Sequence, residues 1–347
     1  MGSAKYKKAG YFPENPVSSP QPAQNTNAKK PAVSLFARFP ALRFVLLGVC
    51  ILVFAYCAFR LTAYIVQNIQ AREANQAFTS TAMEETSQVQ ITPTPAPSPA
   101  STENPEPTQA PAVQASPEVQ SNAEELWPTE YAGNKALRIS AIYDEQLRKN
   151  SDFVGQLTID GVLDAPVFQR DNTYYLTHNA LGRTNNAGAL FLDEDCDLKT
   201  VPTQYIIHGH NMKDGTNFGI LKKYKVKDAS YYRAHPYITF NTLYETGKYV
   251  IFAVCEVDTR FDQDDYLPFW CYSRFASSEE FTEYIRKAKS LSHYQCGIDV
   301  VPGDRLLTLA TCLGTDDNKR LLVMARKVRD GEDEFSLSLS ILSTGDK

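Results

Sequence analysis

A charge-free apolar run near the N-terminus constrains this chain more than any other feature. Residues 44–59 read FVLLGVCILVFAYCAF, and the apolar character resumes after Arg60 as far as Val66. An apolar helix needs roughly 20 residues to cross the hydrocarbon core of a bilayer. The segment 41–66 is long enough, provided that the Arg60 side chain reaches out to the interface. The sequence therefore predicts one transmembrane helix over 41–66.

Two other interpretations of this run are a buried core helix and a cleaved signal peptide. Polar linkers flank the run, and nothing near it would cover a core helix. A signal peptide usually starts closer to the N-terminus and ends in a small-x-small cleavage site, whereas this run starts after about forty residues and leads into RLTAY. The sequence therefore favours an uncleaved anchor. Basic residues before the run outnumber those just after it, so the positive-inside rule places the N-terminus in the cytoplasm and the remainder outside the cell.

The segments that flank the anchor are polar. Residues 1–40 are basic and too poor in apolar residues to form a core, which predicts a disordered cytoplasmic tail. Membrane topology explains this basic charge, so no nucleic-acid partner is predicted. Residues 67–123 predict an extracellular stalk, in which 67–90 is compatible with a helix and 91–120 is dense in Pro, Thr, Ser and Ala. Because proline favours extended conformations, the stalk should be semi-rigid.

The composition becomes globular from about residue 124, and 124–347 has the size of one domain. Apolar spacing predicts an amphipathic helix over 135–149, and a capping box formed by Ser277 and Glu280 predicts a helix that continues to about residue 289. The tail at 335–342 alternates apolar residues with Ser, which predicts a half-exposed edge strand. Many short strands and few helices predict a mainly β fold, a closed or nearly closed barrel with peripheral helices. The other predicted strands are 154–159, 174–177, 189–192, 204–208, 237–240, 249–257, 305–311 and 320–327.

Five of the seven cysteines lie outside the apolar run, and none of them forms a C-x-x-C pair that would suggest a zinc site. An odd number of cysteines in an exported domain leaves at least one free thiol or an intermolecular bridge. Either four of them form disulfides and Cys312 is free, or all five are reduced. These five residues are Cys196, Cys255, Cys271, Cys296 and Cys312.

Two acidic clusters, at 193–195 and 262–265, were considered as cation sites. Neither has the spacing of an EF-hand loop, so both are interpreted as solvated loops. The sequence therefore predicts no metal and no cofactor.

Three residues near predicted strand ends could together carry nucleophilic chemistry. Cys312 ends the strand at 305–311 and precedes a predicted loop at 313–319. A thiol becomes a useful nucleophile when its pKa is lowered or when a base lies nearby. His210 follows Gly209 where another strand ends, and Arg320 opens the strand after the loop. A tight hairpin would bring Cys312 and Arg320 to one edge of the barrel.

These residues also carry a resemblance to a known family. Residues 308–312 read TLATC and match the T-L-x-T-C signature of sortases, while 207–218 resemble the G-H-N-M-x-D-G-x-x-F region of class B sortases. The resemblance spans roughly 140–329 and implies a sortase-like closed β-barrel. Leu313, which stands where some relatives carry a polar or acidic residue, and the extension past Arg329 are departures from the family pattern. Further similar stretches are 154–159, 165–169, 171–176 and 187–193.

The resemblance assigns roles by position. It implies Cys312 as the nucleophile, His210 as general acid and base, and Arg320 as the residue that stabilises the oxyanion. It also implies substrate contacts at residues of the two motifs, namely Thr311, Asn211 and Leu309.

Other residues of the same types compete for these roles. His208 occupies a position that is commonly aromatic in the family and is not catalytic there, so it should point to the other strand face or line the cleft. Arg326 and Arg329 are rivals of Arg320, but they lie farther along the strand from Cys312. The remaining histidines of the globular part are His178, His235 and His293.

The implied function is that of a cysteine transpeptidase outside a Gram-positive cell. Such an enzyme cleaves a C-terminal sorting motif of a secreted protein, forms a thioacyl-enzyme, and transfers the protein to an amine of a lipid-linked peptidoglycan precursor. Three alternatives remain open from the sequence: a sortase that polymerises pilins, a membrane-tethered cysteine hydrolase, and a stalked adhesin without enzymatic activity.

Overall fold

The computed structural model describes residues 40–86, 127–225, 228–314 and 316–346. Residues 1–39 of the predicted cytoplasmic tail and the Pro/Thr-rich part of the predicted stalk lie outside these described residues. The chain divides after Arg60 into two units, the second of which extends from Leu61 to Lys347.

The first helix, α1 (Pro40–Thr86), is longer than the predicted transmembrane segment. Its stretch Phe44–Thr79 is long and apolar enough to cross a membrane, with a mean hydropathy of 2.4. Large apolar side chains in its first half are exposed, such as Phe54 at 77%. In length and composition the described helix agrees with the predicted anchor.

The later part of α1 packs against the globular domain. Ala71, Ala74 and Phe78 are buried, and the Phe78 ring lies 6.0 Å from that of Phe153 and 5.3 Å from that of Phe168. Residues 67–79, which the sequence analysis counts with the stalk, are thus helical and reach the core of the second unit.

Eight strands form a closed barrel in the order β1-β2-β3-β4-β8-β9-β6-β5, which confirms the predicted fold class. Two short strands, β7 and β10, pair as a separate ribbon. The barrel strand at Leu163–Phe168 was not among the predicted strands. The strands are β1 (Phe153–Ile159), β2 (Leu163–Phe168), β3 (Leu190–Leu192), β4 (Gln204–His208), β5 (Tyr237–Thr242), β6 (Lys248–Asp258), β7 (Tyr294–Gln295), β8 (Leu306–Leu313), β9 (Asp316–Lys327) and β10 (Gly345–Asp346).

Four further α-helices decorate the barrel: α2 (Asp144–Lys149), α3 (Ser230–Ala234), α4 (Ser278–Leu291) and α5 (Glu334–Leu342). The predicted α4 and its cap are confirmed, since the Ser277 hydroxyl accepts a hydrogen bond from the Glu280 N–H at 3.2 Å. Its buried residues recur at helical spacing and pack against β6, as expected of an amphipathic helix. They are Phe281, Tyr284, Ile285 and Ala288.

Two secondary-structure predictions were wrong because local capping competed with the sequence pattern. The tail at 335–342 is a helix and not an edge strand, since the Asp333 carboxylate accepts from the N–H groups of Phe335 and Ser336 and caps α5. The segment at 174–177 is a 3₁₀ helix, Tyr174–Leu176, because the Asp171 carboxylate accepts from the N–H groups that start it.

The predicted helix over 135–149 is confirmed only in its second half. A 3₁₀ turn at Ala141–Tyr143 leads into α2. The first half is a chain of turns, in which Leu137 has a φ of 49° and Asn134 hydrogen-bonds the backbone of Arg138. A left-handed residue cannot continue a right-handed helix.

The β8–β9 hairpin is tighter than predicted. β9 begins at Asp316 and Gly314 lies in the turn with a φ of 65°. Arg320 is therefore inside β9 and does not open it. Its Cα is the register partner of Cys312, so the expected juxtaposition of these two residues is confirmed.

Candidate active site

A cavity of about 440 Å³ opens where β4 and β8 end. These strands run parallel and His208 pairs with Ala310, so the residues that follow on each strand emerge together. All three predicted catalytic residues line this cavity. The lining comprises Asn172, Leu176, Phe191, Asp193, Asp195, His208, Gly209, His210, Thr259, Phe269, Trp270, Ala310, Thr311, Cys312 and Arg320.

Cys312 is a half-buried free thiol near the end of β8. Its carbonyl oxygen accepts a hydrogen bond from the Asn211 Nδ2 at 2.9 Å. The preceding Thr311 is buried, and its hydroxyl donates to the carbonyl of Gly209 at 2.7 Å. These two bonds attach the cysteine strand to the segment that carries His210.

His210 follows β4 through Gly209, and no larger residue fits at that glycine. A Cβ there would lie 2.4 Å from Leu190 Cδ2 and 2.8 Å from Phe218 Cδ2. His210 Nε2 donates to the carbonyl oxygen of Leu176 at 2.8 Å. A carbonyl oxygen can only accept, so Nε2 carries the proton and Nδ1 is the nitrogen that can act as a base.

Arg320 faces Cys312 across the hairpin and also lines the cavity. Its Nη1 donates to the Lys319 carbonyl at 3.0 Å. A guanidinium has five N–H donors in a fixed plane, which suits it to bind a developing oxyanion.

A buried carboxylate supports the strand ends beside Arg320. Asp258 accepts hydrogen bonds from Arg260 Nε at 2.9 Å and from Lys319 Nζ at 3.1 Å. The hydrogen bonds from Arg260, with a contribution from Lys319, hold the pKa of the Asp258 carboxyl well below its usual range. The next residue, Thr259, lines the cavity, so this ion-pair group fixes one wall of it.

His208 lines the cavity, which is one of the two outcomes that the sequence left open. Its Nε2 lies 2.7 Å from Asp193 Oδ2, and its ring stacks on Phe191 with centroids 5.2 Å apart. The interpretation of Asp193 as a solvated loop residue was wrong, because it is 2% exposed. Burial alone would raise the pKa of Asp193, but the hydrogen bond and charge of His208 lower it below the ordinary value.

The three predicted substrate contacts occupy different environments. Thr311 lines the cavity, although its hydroxyl is already bonded to Gly209. Asn211 adjoins Cys312 through its amide but is not part of the lining. Leu309 is fully buried in the core, outside the cavity.

The rival arginines form a separate ionic group away from the cavity. Arg326 is fully buried and binds Glu332 and Asp299. Arg329 lies 2.7 Å from Asp304 and 2.9 Å from Asp299. Both therefore stabilise the fold where β9 leads into the C-terminal extension.

Several cavity residues were missed by sequence reasoning. Leu176 acts through its backbone, which leaves no side-chain signature, and Asn172 belongs to a stretch that was noted only for its resemblance. Phe269 and Trp270 lie on a short 3₁₀ helix. The sequence signal for them was an aromatic pair that follows an acidic stretch between two predicted elements.

The five cysteines of the globular part are all unpaired, which resolves the two alternatives left by the sequence. Burial raises the pKa of the Cys196 thiol well above its usual range and that of Cys296 to about 11. Thiols held protonated in this way are poor nucleophiles. Within the described part of the chain, no cluster of three or more His, Cys, Asp or Glu residues could hold a metal ion.

Comparisons with known proteins identify the family that this chain resembles. The model of the sortase domain family matches residues 159–328. The chain is 37% identical over 165 residues to sortase B of Listeria monocytogenes, covering 47% of this chain and 63% of that protein. It is 27% identical over 190 residues to sortase B of Staphylococcus aureus, covering 53% of this chain and 74% of that protein. The chain thus spans less than two thirds of the Listeria relative.

A solved structure shares the fold. A sortase B–substrate complex from Staphylococcus aureus superimposes with a TM-score of 0.50 at 24% identity, covering 55% of this chain and 87% of that chain. The eight-stranded barrel, the motif around Cys312 and the match over 159–328 show together that this chain belongs to the sortase family, among its class B members.

Proposed function

We propose that this chain is a membrane-anchored cysteine transpeptidase that cleaves a C-terminal sorting motif of secreted proteins and transfers them to an amine of the peptidoglycan precursor. One observation carries the proposal: Cys312 and Arg320 are register partners on adjacent strands, and His210 opens into the same cavity. A nucleophile, a base and an oxyanion donor then surround one reacting carbonyl.

In the first half-reaction the Cys312 thiolate attacks the carbonyl carbon of the scissile peptide bond. The Arg320 guanidinium binds the oxyanion, a kind of contribution worth about 3–4 kcal/mol per well-placed donor. His210, which holds on Nδ1 the proton taken from the Cys312 thiol, gives that proton to the leaving amine. The C–N bond breaks, and a thioester joins the substrate to Cys312.

In the second half-reaction an amine of the acceptor attacks the thioester carbonyl. The C–S bond breaks, the electron pair returns to Cys312 as thiolate, and His210 recovers a proton from the new amide nitrogen. The carbonyl of Leu176 keeps the reactive Nδ1 of His210 in place through both steps.

The apolar part of α1 supports an anchor that keeps the domain at the outer face of the cell membrane. Residues 1–40 would lie in the cytoplasm, 41–66 would span the bilayer, 67–123 would form the extracellular connection, and 124–347 would form the catalytic domain. Secreted clients and lipid-linked precursors meet at that surface, so this placement suits the proposed reaction.

The test uses the full chain in detergent with a library of quenched sorting-motif peptides, with and without triglycine or diaminopimelate, and mass spectrometry of the products. We expect an amide-linked adduct that disappears in Cys312→Ala, His210→Ala and Arg320→Ala. Cys271→Ala is the matched control, because Cys271 is an exposed thiol outside the cavity lining.

The products also separate the alternative functions. Cleavage without any adduct, across all amines, would contradict transfer and favour the tethered hydrolase. A covalent ladder of protein subunits in cells, lost with the gene, would favour pilin polymerisation. If Cys271→Ala removed the activity and Cys312→Ala kept it, the assignment of the nucleophile would be wrong.

A further inference from the structure

A histidine–carboxylate pair lines the same cavity and has no role in the scheme above. His208 Nε2 lies 2.7 Å from Asp193 Oδ2, and the side chains are 22% and 3% exposed, respectively. Both residues line the cavity, but the imidazole is accessible and the carboxylate behind it is almost fully buried. A buried carboxylate behind an accessible imidazole is the arrangement that orients a catalytic base.

Asp193 is held in place by more than His208. Its Oδ1 accepts from the Asp195 N–H at 3.1 Å, and its Oδ2 accepts from Asn172 Nδ2 at 3.2 Å. The pKa of this carboxyl lies below its ordinary value despite burial, so it remains charged at neutral pH. When His208 is neutral, its Nε2–H donates to this carboxylate and Nδ1 is left to accept a proton.

The chemistry of transfer needs a second proton acceptor. An acceptor amine in neutral water is mostly an ammonium group, since α-amino groups have a pKa of about 8 and lysines of about 10.4. Its nitrogen carries three protons, and the amide product keeps one. Two protons must therefore leave, but His210 can take only one, because it gave up only one to the first leaving amine.

We propose that His208, oriented by Asp193, takes the first proton from the incoming ammonium acceptor and so makes the attacking amine neutral. This inference rests on the proposed transfer to an amine. His208 pairs in register with Ala310, two residues before Cys312 on the adjacent strand. With a strand spacing of ~4.8 Å and a rise of ~3.3 Å per residue, their Cα atoms lie on the order of 8 Å apart. This spacing is compatible with an amino group bound between the two side chains.

The step balances in atoms and charge. The ammonium gives one proton to His208 Nδ1, and the nitrogen lone pair then attacks the thioester carbon. The C–N bond forms and the C–S bond breaks, which leaves a thiolate on Cys312. His210 takes the second proton from the amide nitrogen, and His208 releases the first to solvent. Asp193 is a positioning residue, since its negative charge stabilises the His208 imidazolium.

The test compares two acceptors on one thioacyl-enzyme. Triglycine must lose an ammonium proton, whereas hydroxylamine is largely neutral already at neutral pH. For each acceptor, the ratio of adduct to hydrolysed peptide is measured in the full chain. This ratio does not depend on the rate at which the thioester forms. We expect His208→Phe, which keeps a ring to stack on Phe191, to lower the triglycine ratio roughly 100-fold, and hydroxylamine to restore transfer.

Asp193→Asn is a second variant. We expect it to lower the triglycine ratio of adduct to hydrolysed peptide less than His208→Phe does, and hydroxylamine to restore transfer in the same way. His235→Phe is the control, because the His235 ring also lies against an aromatic ring, that of Tyr231 with centroids 4.8 Å apart, but lies outside the cavity lining. An equal fall for both acceptors would mean a structural role and overturn the inference, as would an unchanged triglycine ratio. A wild-type chain that transfers to neither acceptor would instead overturn the proposed function, and the inference with it.

Discussion

At the scale of single residues, the proposed acid–base residue His210 is oriented by a backbone carbonyl. Leu176 O accepts from His210 Nε2 at 2.8 Å, so the path of the chain around Leu176 determines where the imidazole points. Gly188 lies against that path with a φ of 61°. A Cβ there would be 2.4 Å from the carbonyl oxygen of Tyr175 and 3.1 Å from His210 Cδ2. The glycine is therefore needed both for its conformation and for its lack of a side chain.

Replacing this glycine should impair catalysis more than stability alone explains. We expect Gly188→Ala to lower kcat/KM for peptide cleavage on the order of 100-fold, because it displaces the carbonyl that holds His210. Gly161→Ala is the matched control, since its φ is 66° and nothing lies within 4 Å of the added Cβ. That change should cost about 1–2 kcal/mol of stability and leave kcat/KM unaffected. A similar kcat/KM for Gly188→Ala and Gly161→Ala would contradict a role of Gly188 in positioning His210.

The buried Asp258 makes a prediction about acid stability. Its pKa is depressed in the folded chain, chiefly by hydrogen bonds from Arg260. Its contribution is therefore fully present above the unfolded pKa of about 3.9 and is lost as the pH falls toward the lower folded value. We expect Asp258→Asn to lower Tm at pH 7 and to differ less from wild type near pH 3. Asp160→Asn, at an exposed turn residue, should shift Tm little at either pH, and a pH-independent effect of Asp258→Asn would refute the linkage.

At the scale of elements, the C-terminal extension is part of the fold. Arg326 on β9 is fully buried, and its main partner, Glu332, lies in the extension. Beyond it, α5 buries Leu337 and Ile341, and β10 pairs with β7. The residues past Arg329, which depart from the family pattern in the sequence, thus complete an ion pair that begins in the barrel.

Removing Glu332 should leave a buried guanidinium without its main partner. Breaking a buried ion pair from one side costs about 3–5 kcal/mol, so we expect Glu332→Ala to destabilise the chain by an amount in that range in urea denaturation. Glu334→Ala is the control, because Glu334 is 84% exposed and 3.7 Å from Lys248, and exposed pairs contribute at most about 1 kcal/mol. Equal losses of unfolding free energy in Glu332→Ala and Glu334→Ala would show that the fold tolerates Arg326 without its main partner.

At the scale of the whole molecule, the sequence identified the barrel and the three proposed catalytic residues because those depend on local signals. The TLATC strand, the glycine before His210 and the position of Arg320 shortly after Cys312 are all readable along the chain, although the predicted loop at 313–319 was too long. The His208–Asp193 pair was missed because it depends on how β3 aligns with β4. Asp333 and Asp171 cap helices in two segments whose sequence pattern predicted strands. The choice between helix and strand there depends on hydrogen bonds of these carboxylates, which the pattern does not reveal.

The helix considered for 67–90 is confirmed as far as Thr86, but its packing against the globular domain was not predicted, although its signal was present. Ala71, Ala74 and Phe78 recur at helical spacing on one face, but the polar residues between them favoured a stalk. The Phe78 ring packs against both Phe153 and Phe168. A catalytic fragment therefore needs α1 to complete its core.

This prediction is tested on fragments and on the full chain. A fragment of residues 61–347 should resist urea better than one of residues 124–347, which lacks the Phe78 contact. In the full chain in detergent, Phe78→Ala should cost about 3–5 kcal/mol. Phe54→Ala, at a position 77% exposed, should leave the unfolding of the globular domain unchanged. If the two fragments unfolded at the same urea concentration, the packing of α1 would not contribute to the stability of the domain.

The parallel pairing of β4 with β8 has a consequence for the time at which the thiol becomes reactive. The bonds from Asn211 to Cys312 and from Thr311 to Gly209 join positions 101 and 102 residues apart. Contacts between such distant segments form late in folding, because a long loop must close first. The Cys312 thiol therefore remains separated from the His210 imidazole until the barrel closes. Under the proposed function, acyl transfer cannot begin before the domain has folded.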